Sequence, residues 1–128
     1  MTIAKVFSIP ESKEYYFDEG CYILEMLNTE SDPEVSIARA RVNAGCTTRY
    51  HALKGVTERY VIQQGEGLVT VGDGPEQKVQ AGSVVLIPPE TRQRIKNVGE
   101  DALVFLAICS PRFTLACYQD LETDLENG

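Results

Sequence analysis

The sequence predicts an all-β protein, a barrel built from two facing sheets, and three observations carry that expectation. Apolar and polar residues alternate over short runs, the period of a strand with one face buried. Glycine, proline and aspartate break those runs at short intervals, as turns between strands do. No stretch of the 128 residues keeps the apolar period of a long amphipathic helix.

The elements follow in order. Residues 21–27 form an apolar-rich run and give the first strand. In residues 35–42 the period of two places Val35, Ile37, Arg39 and Arg41 on one face and Ser36, Ala38, Ala40 and Val42 on the other. Neither face is cleanly polar. Residues 58–63 form a strand, Gly65-Glu66-Gly67 a bend, residues 68–71 the next strand and Gly72-Asp73-Gly74-Pro75 a hairpin turn. The run 84–87 stops at Pro88-Pro89, where the ring removes a ladder donor. Strands over 93–96 and 103–108 complete the barrel, and the acidic stretch 120–128 is expected to fray, although the spacing of Leu121 and Leu125 would suit one turn of helix.

Composition limits the possible functions. An apolar content of 43% over 128 residues supplies one core of ordinary size, so residues 1–128 are read as a single domain. Its barrel core spans about 35–110, with N-terminal strands in 1–28 and an extension over 111–128. A net charge of -7 disfavours nucleic acid, which needs clustered basic residues against phosphate. No apolar run is long enough for a signal peptide or a membrane span, so no membrane association and a cytoplasmic location are expected. The four cysteines, at 21, 46, 109 and 117, form no C-x-x-C pair and are read as free thiols. For Cys109 both a core-packed thiol and one facing the barrel interior stay open. Cys46 lies five residues before His51, which on a regular strand puts the two on opposite faces and argues against a Cys-His pair.

Two glycine-anchored motifs dominate the chain. The first reads Gly45, five residues, His51, then Glu58, six residues, Gly65; the second runs from Gly82 through Pro88 to Gln93 and Asn97. Gly45, Gly65 and Gly82 are read as turns or close backbone approaches. His51 is the only histidine, so any imidazole chemistry passes through it.

This double pattern resembles the cupin superfamily, in the form of a small single-domain cupin. The resemblance implies a double-stranded β-helix, or jelly-roll, barrel. It departs from the family pattern at Leu53 and Gln93, where histidines are usual, and at Glu90, where glycine is common. In such a barrel the strands bearing His51 and Glu58 are expected to be neighbours, with Gln93 on the strand facing them. Tyr60 and Ile62 share the face of Glu58, and Ile95 that of Gln93; with Leu53 they are expected to line an interior pocket.

An isolated carboxylate in an apolar barrel must take up a proton or find a cation. A divalent ion (Zn, Mn, Fe or Ni) held by His51, Glu58 and Gln93 would meet that need and leave positions open for water or substrate. His51, Glu58 and Gln93 forming only a buried hydrogen-bonded group is the competing reading. Arg92, Arg94 and Lys96 alternate with Gln93 and Ile95 and are read as an outer solvated face.

Two function classes result. One is a mononuclear metal enzyme, a dioxygenase, isomerase or lyase, with Glu58 and His51 as catalytic groups acting on a small organic acid, phenol or sugar derivative. The other is a metal-poor barrel that binds a small ligand without turning it over. No nucleophile elbow, dinucleotide loop or phosphate-binding loop is present. A homodimer is expected, because the apolar segment 3–9 and the run 21–27 exceed what one small barrel covers and sheet edges seek partners.

Overall fold

The computed structural model describes residues 3–122, and nearly all of its regular structure is β. Eleven strands follow in chain order: β1 (Tyr15–Phe17), β2 (Cys21–Leu27), β3 (Ser36–Val42), β4 (His51–Leu53), β5 (Thr57–Gln64), β6 (Glu66–Val71), β7 (Gln77–Gln80), β8 (Val84–Ile87), β9 (Gln93–Asn97), β10 (Leu103–Ser110) and β11 (Tyr118–Asp120). They form two antiparallel sheets, β1-β2-β3-β10-β5-β8 and β11-β4-β9-β6-β7. Among the described residues no helix is long and apolar enough to cross a membrane. The expected helical turn at Leu125 lies outside the described residues.

The alternation in 35–42 acquires its physical meaning here. Ser36, Ala38, Ala40 and Val42 face inward, while Arg39 and Arg41 face outward and grip Glu11 and Glu14 through bonds of 2.6–3.2 Å. Both faces are thus occupied, one by the interior and one by the N-terminal segment. The hairpin at Gly72-Asp73-Gly74-Pro75 forms as expected between β6 and β7. Glu66 and Gly67, expected in a bend, already belong to β6; only Gly65 makes the turn. Gly65 sits at φ +92, and a Cβ there would lie 2.9 Å from the Ala102 carbonyl oxygen, so glycine is demanded by both backbone shape and space.

The run 21–27 does not exceed the barrel. It is β2, paired on one side with β1 and on the other with β3, so its edges are already satisfied. Segment 3–9 does stay open, with Ile3 83% and Val6 88% exposed.

The main core cluster joins the sheets through Val42, Ile62, Val69, Ile95, Leu103 and Phe105, each at most 4% exposed. A second cluster gathers Leu53, Val56, Cys109 and Cys117 at the other end. Between the two clusters the interior changes character, and there the polar motif residues meet.

Candidate functional site

The chain turns at Lys54–Gly55–Val56 from one sheet into the other, and that corner corrects the expected placement of the motif residues. His51 on β4 pairs directly with Gln93 on β9, whereas Glu58 on β5 belongs to the opposite sheet. His51 and Gln93 are therefore neighbours, and Glu58 faces them. All three are buried, at 2%, 0% and 7% exposure.

Tyr60, Gln93 and Glu58 form the centre of the site. The Tyr60 hydroxyl donates to the Gln93 carbonyl oxygen in a short hydrogen bond that spans the two sheets. With that oxygen taken, Gln93 Nε2 is left buried without a partner, and Glu58 Oε1 is likewise unpartnered. The other Glu58 oxygen lies 3.6 Å from the Cys109 thiol, which donates to it. Cys109 thus faces the interior. Burial pushes the Glu58 carboxyl up to about 7, against the pull of nearby His51 and, more weakly, of the Gln93 amide, which lies close to the carboxyl without reaching hydrogen-bond geometry. Burial and the Glu58 charge raise the Tyr60 phenol well above its ordinary range, so it remains a hydrogen-bond donor.

His51 is oriented from three sides. Its Nδ1 lies 2.8 Å from the Arg49 carbonyl oxygen; a carbonyl can only accept, so Nδ1 carries the proton. Tyr118 of β11 stacks on the imidazole with ring centroids 5.3 Å apart. On the third side Nε2 lies 3.5 Å from a carboxylate oxygen of Glu19. Glu19 has no motif to announce it: Asp18-Glu19-Gly20 reads as an ordinary solvated turn, yet the β1–β2 hairpin folds it onto the site.

A cavity of about 60 Å³ reaches Glu58 from the side of β1 and β2. Its floor is carved by small side chains, because Ala38 and Ala107 pair across β3 and β10 beside Tyr60 on β5. Of the expected lining residues only Tyr60 takes part, with Glu58 at its side. Ile62 and Ile95 are instead locked in the main core, and Leu53 in the second cluster, since their bulk fills the spaces that alanine leaves empty on the cavity side. Arg92 also stays away from the cavity, donating to the Gly72 carbonyl oxygen at 3.2 Å, while Arg94 lies over the Tyr50 ring.

The donor set can be tested against a divalent ion atom by atom. His51 fits: a proton fixed on Nδ1 by a backbone carbonyl is the usual support of an imidazole that ligates through Nε2. Glu58 fits as well, because Oε1 is buried and unpartnered. Gln93 fits only if its amide turns over, since its oxygen already accepts from Tyr60. Among the described residues no three His, Cys, Asp or Glu side chains stand together as a metal-binding group.

Residues 38–109 match the family model described as the cupin domain. An uncharacterized protein of Methanocaldococcus jannaschii is 33% identical over 104 residues, covering 80% of this chain and 82% of the relative. Among solved structures, a conserved protein with a double-stranded β-helix domain from Klebsiella pneumoniae superposes with a TM-score of 0.73 at 15% identity, over 92% of this chain and 97% of that one. Pac13, a nucleoside dehydratase of Streptomyces, does so with 0.73 at 14% identity, over 91% of each chain. At such identities these two likenesses show the fold alone.

Proposed function

The chain belongs to the cupin domain family, and from that premise we propose that it is an enzyme acting on a small molecule held in the cavity, with Glu58 as the group that moves a proton. The observation that carries this reading is the Glu58 carboxyl: buried, with one oxygen unpartnered, at the inner end of a cavity. Left without a ligand, that oxygen would cost on the order of a few kcal/mol relative to a partnered one. A carboxyl pushed up to about 7 is also matched to taking a proton and returning it near neutral pH.

The other residues would support that transfer. Tyr60, held by Gln93, fixes one wall, and the Cys109 thiol orients the second Glu58 oxygen. His51 and Glu58 would hold a divalent ion, with Gln93 joining through its amide oxygen once released from Tyr60. When bound, the ion supplies Lewis-acid polarisation of a substrate oxygen. Proton transfer at Glu58 suits an isomerase or a lyase acting on a small oxygenated molecule; a dioxygenase would depend on the metal.

A metal-poor binding barrel is the second reading, and the Tyr60–Gln93 bond is the observation that favours it, because it withdraws the third donor. Metal content by mass spectrometry, on protein without an affinity tag, divides the two. Glu58→Gln is expected to lose the metal, and Leu53→His and Gln93→His to retain more than the parent. If neither added histidine raises metal content in folded protein, the metal reading fails and the binding barrel takes its place.

We also propose a homodimer, through segment 3–9 as expected and through the edge strand β8 in place of the run 21–27. Segment 3–9, with Ile3 83% and Val6 88% exposed, and β8, with Val84 64% and Leu86 62% exposed, offer apolar surface to a second copy. A monomer by light scattering across the micromolar range would refute it.

A further inference from the structure

The cavity has a narrower chemistry than the proposed function requires. Its wall carries three carboxylates, Glu19, Glu25 and Glu58, and no lysine, arginine or histidine. Arg112, near the mouth, does not line it; its guanidinium donates to Asn28 Oδ1 at 2.9 Å. Glu58 stands at the inner end, 7% exposed and with Oε1 unpartnered, while Glu25 is exposed at the mouth. An anion entering this space would meet carboxyl groups at the mouth and at the inner end and find no basic residue on the wall. A donor with positive charge would satisfy the open oxygen.

The walls between these carboxylates are aromatic. Tyr15, Phe17 and Phe113 flank the mouth, and Tyr60 and Phe105 pack together deeper inside with ring centroids 4.3 Å apart. Ring faces attract a cation that has shed water, and an alkylammonium sheds it at lower cost than a small divalent ion does. The alanine floor at Ala38, Ala40 and Ala107 offers an apolar bed for a short carbon stem.

We propose that the molecule held in this cavity carries an ammonium group, its nitrogen directed to the Glu19 and Glu58 carboxylates and its carbon stem laid on the alanine floor. The inference rests on the reading of this cavity as the substrate site. It is stated for the metal-free cavity, where the open Glu58 oxygen is available; a divalent ion on that oxygen would compete with the ammonium for it.

Calorimetric titration of the untagged protein with propylammonium, propanol and propionate tests it, with and without a chelator, at a mildly alkaline pH at which propylammonium stays charged. Propylammonium is expected to bind about tenfold or more tighter than propanol, and propionate more weakly than either. Glu25→Gln, at the mouth and outside the groups that would move a proton or hold metal, is expected to narrow the preference several-fold with metal content unchanged. Ala107→Leu, which fills the floor, is expected to abolish propylammonium binding. Equal or tighter binding of propanol or propionate overturns the proposal, as does binding of none of the three, or undiminished propylammonium binding in folded Ala107→Leu. Selective ammonium binding by a protein that never retains metal sinks only the metal part of the proposed function. Metal retention with a preference for propionate sinks only this inference.

Discussion

The two ends of the barrel interior are built on the same strands and could hardly differ more. At one end Val42, Ile62, Ile95 and Leu103 close the space between the sheets, each at most 2% exposed. At the other, the same strands β3, β5 and β10 present Ser36, Ala38, Glu58, Ala107 and Cys109, and a cavity opens. The β3–β10 ladder runs unbroken across both ends while β10 and β5 shift register between Val104 and Phe105, and beyond that shift the small side chains of Ala38 and Ala107 leave the hollow. The difference separates close packing at one end from open space beside the polar motif residues at the other, a few residues away on each strand.

The sharpest way to test that division is to exchange the volumes. Leu103→Ala at the closed end is expected to cost about 2–5 kcal/mol in chemical denaturation, from lost burial and the cavity left behind. Ala107→Leu at the open end is expected to cost less, because the space already exists. An equal cost at both positions would dissolve the distinction between the two ends.

Glu58 is the next point of contrast. Its folded-state midpoint, about 7, lies above the ordinary value of 4.5, so the folded protein holds this proton more tightly than the unfolded chain. The associated stability is full below about 4.5 and is lost as pH rises through about 7. In metal-free protein Glu58→Gln is therefore expected to gain stability relative to the parent on the alkaline side, on the order of 3 kcal/mol, and little at low pH. Urea midpoints on either side of neutrality read the effect; a pH-independent difference would mean that Glu58 is not buried as a titrating group.

A smaller effect is expected near the second cluster. Glu90 adopts φ +59, a conformation glycine takes freely, and its carboxylate accepts from the Gly55 N–H at 2.7 Å. Glu90→Gly relieves the strain and loses the bond, with a net change near zero, whereas Glu90→Ala loses the bond and keeps the strain, costing about 1 kcal/mol. Thermal melts of the two variants should separate accordingly.

The outer clamp lies at the bottom of the scale. Hydrogen bonding to Arg41 holds the Glu14 carboxyl below its usual value, so the stability it lends is present above about pH 4.5 and lost as pH falls through the lowered midpoint. Because these groups lie at the surface, Glu14→Gln is expected to cost at most about 1 kcal/mol, less in high salt. A salt-independent loss would point to packing instead.

Much of this was legible in the sequence. The strands over 84–87 and 21–27 appear at the expected bounds, and those begun at 35, 58, 68, 93 and 103 within two residues at either end. The shared inward face of Glu58, Tyr60 and Ile62 follows from the period of two alone. What was not legible has physical reasons. β1, β7 and β11 are short, and in β7 only Val79 turns inward, so alternation has nothing to display. The sheet to which each motif residue belongs depends on the corner at Gly55, whose φ of +70 redirects the chain without changing the residue pattern. Glu19 reaches the site through tertiary docking of a hairpin, and no local signal encodes that. Ile62, Ile95 and Leu53 share the inward faces and yet lie in the packed clusters, because a period of two gives the face of a residue but not the depth at which the interior closes.

The pairing of β11 with β4 also sets a clock. β4 has three residues, of which His51 alone bridges to β9, while all three pair with β11, and Tyr118 completes the stack on His51. A chain emerging from the ribosome exposes His51, Glu58 and Gln93 well before Tyr118 appears. Until residues 118–120 arrive, the imidazole has no ring against it and its strand has one edge open. The His51 side of the site is thus completed only by β11, and a nascent chain that stalls upstream of Tyr118 would carry every motif residue without the ring that stacks on the imidazole.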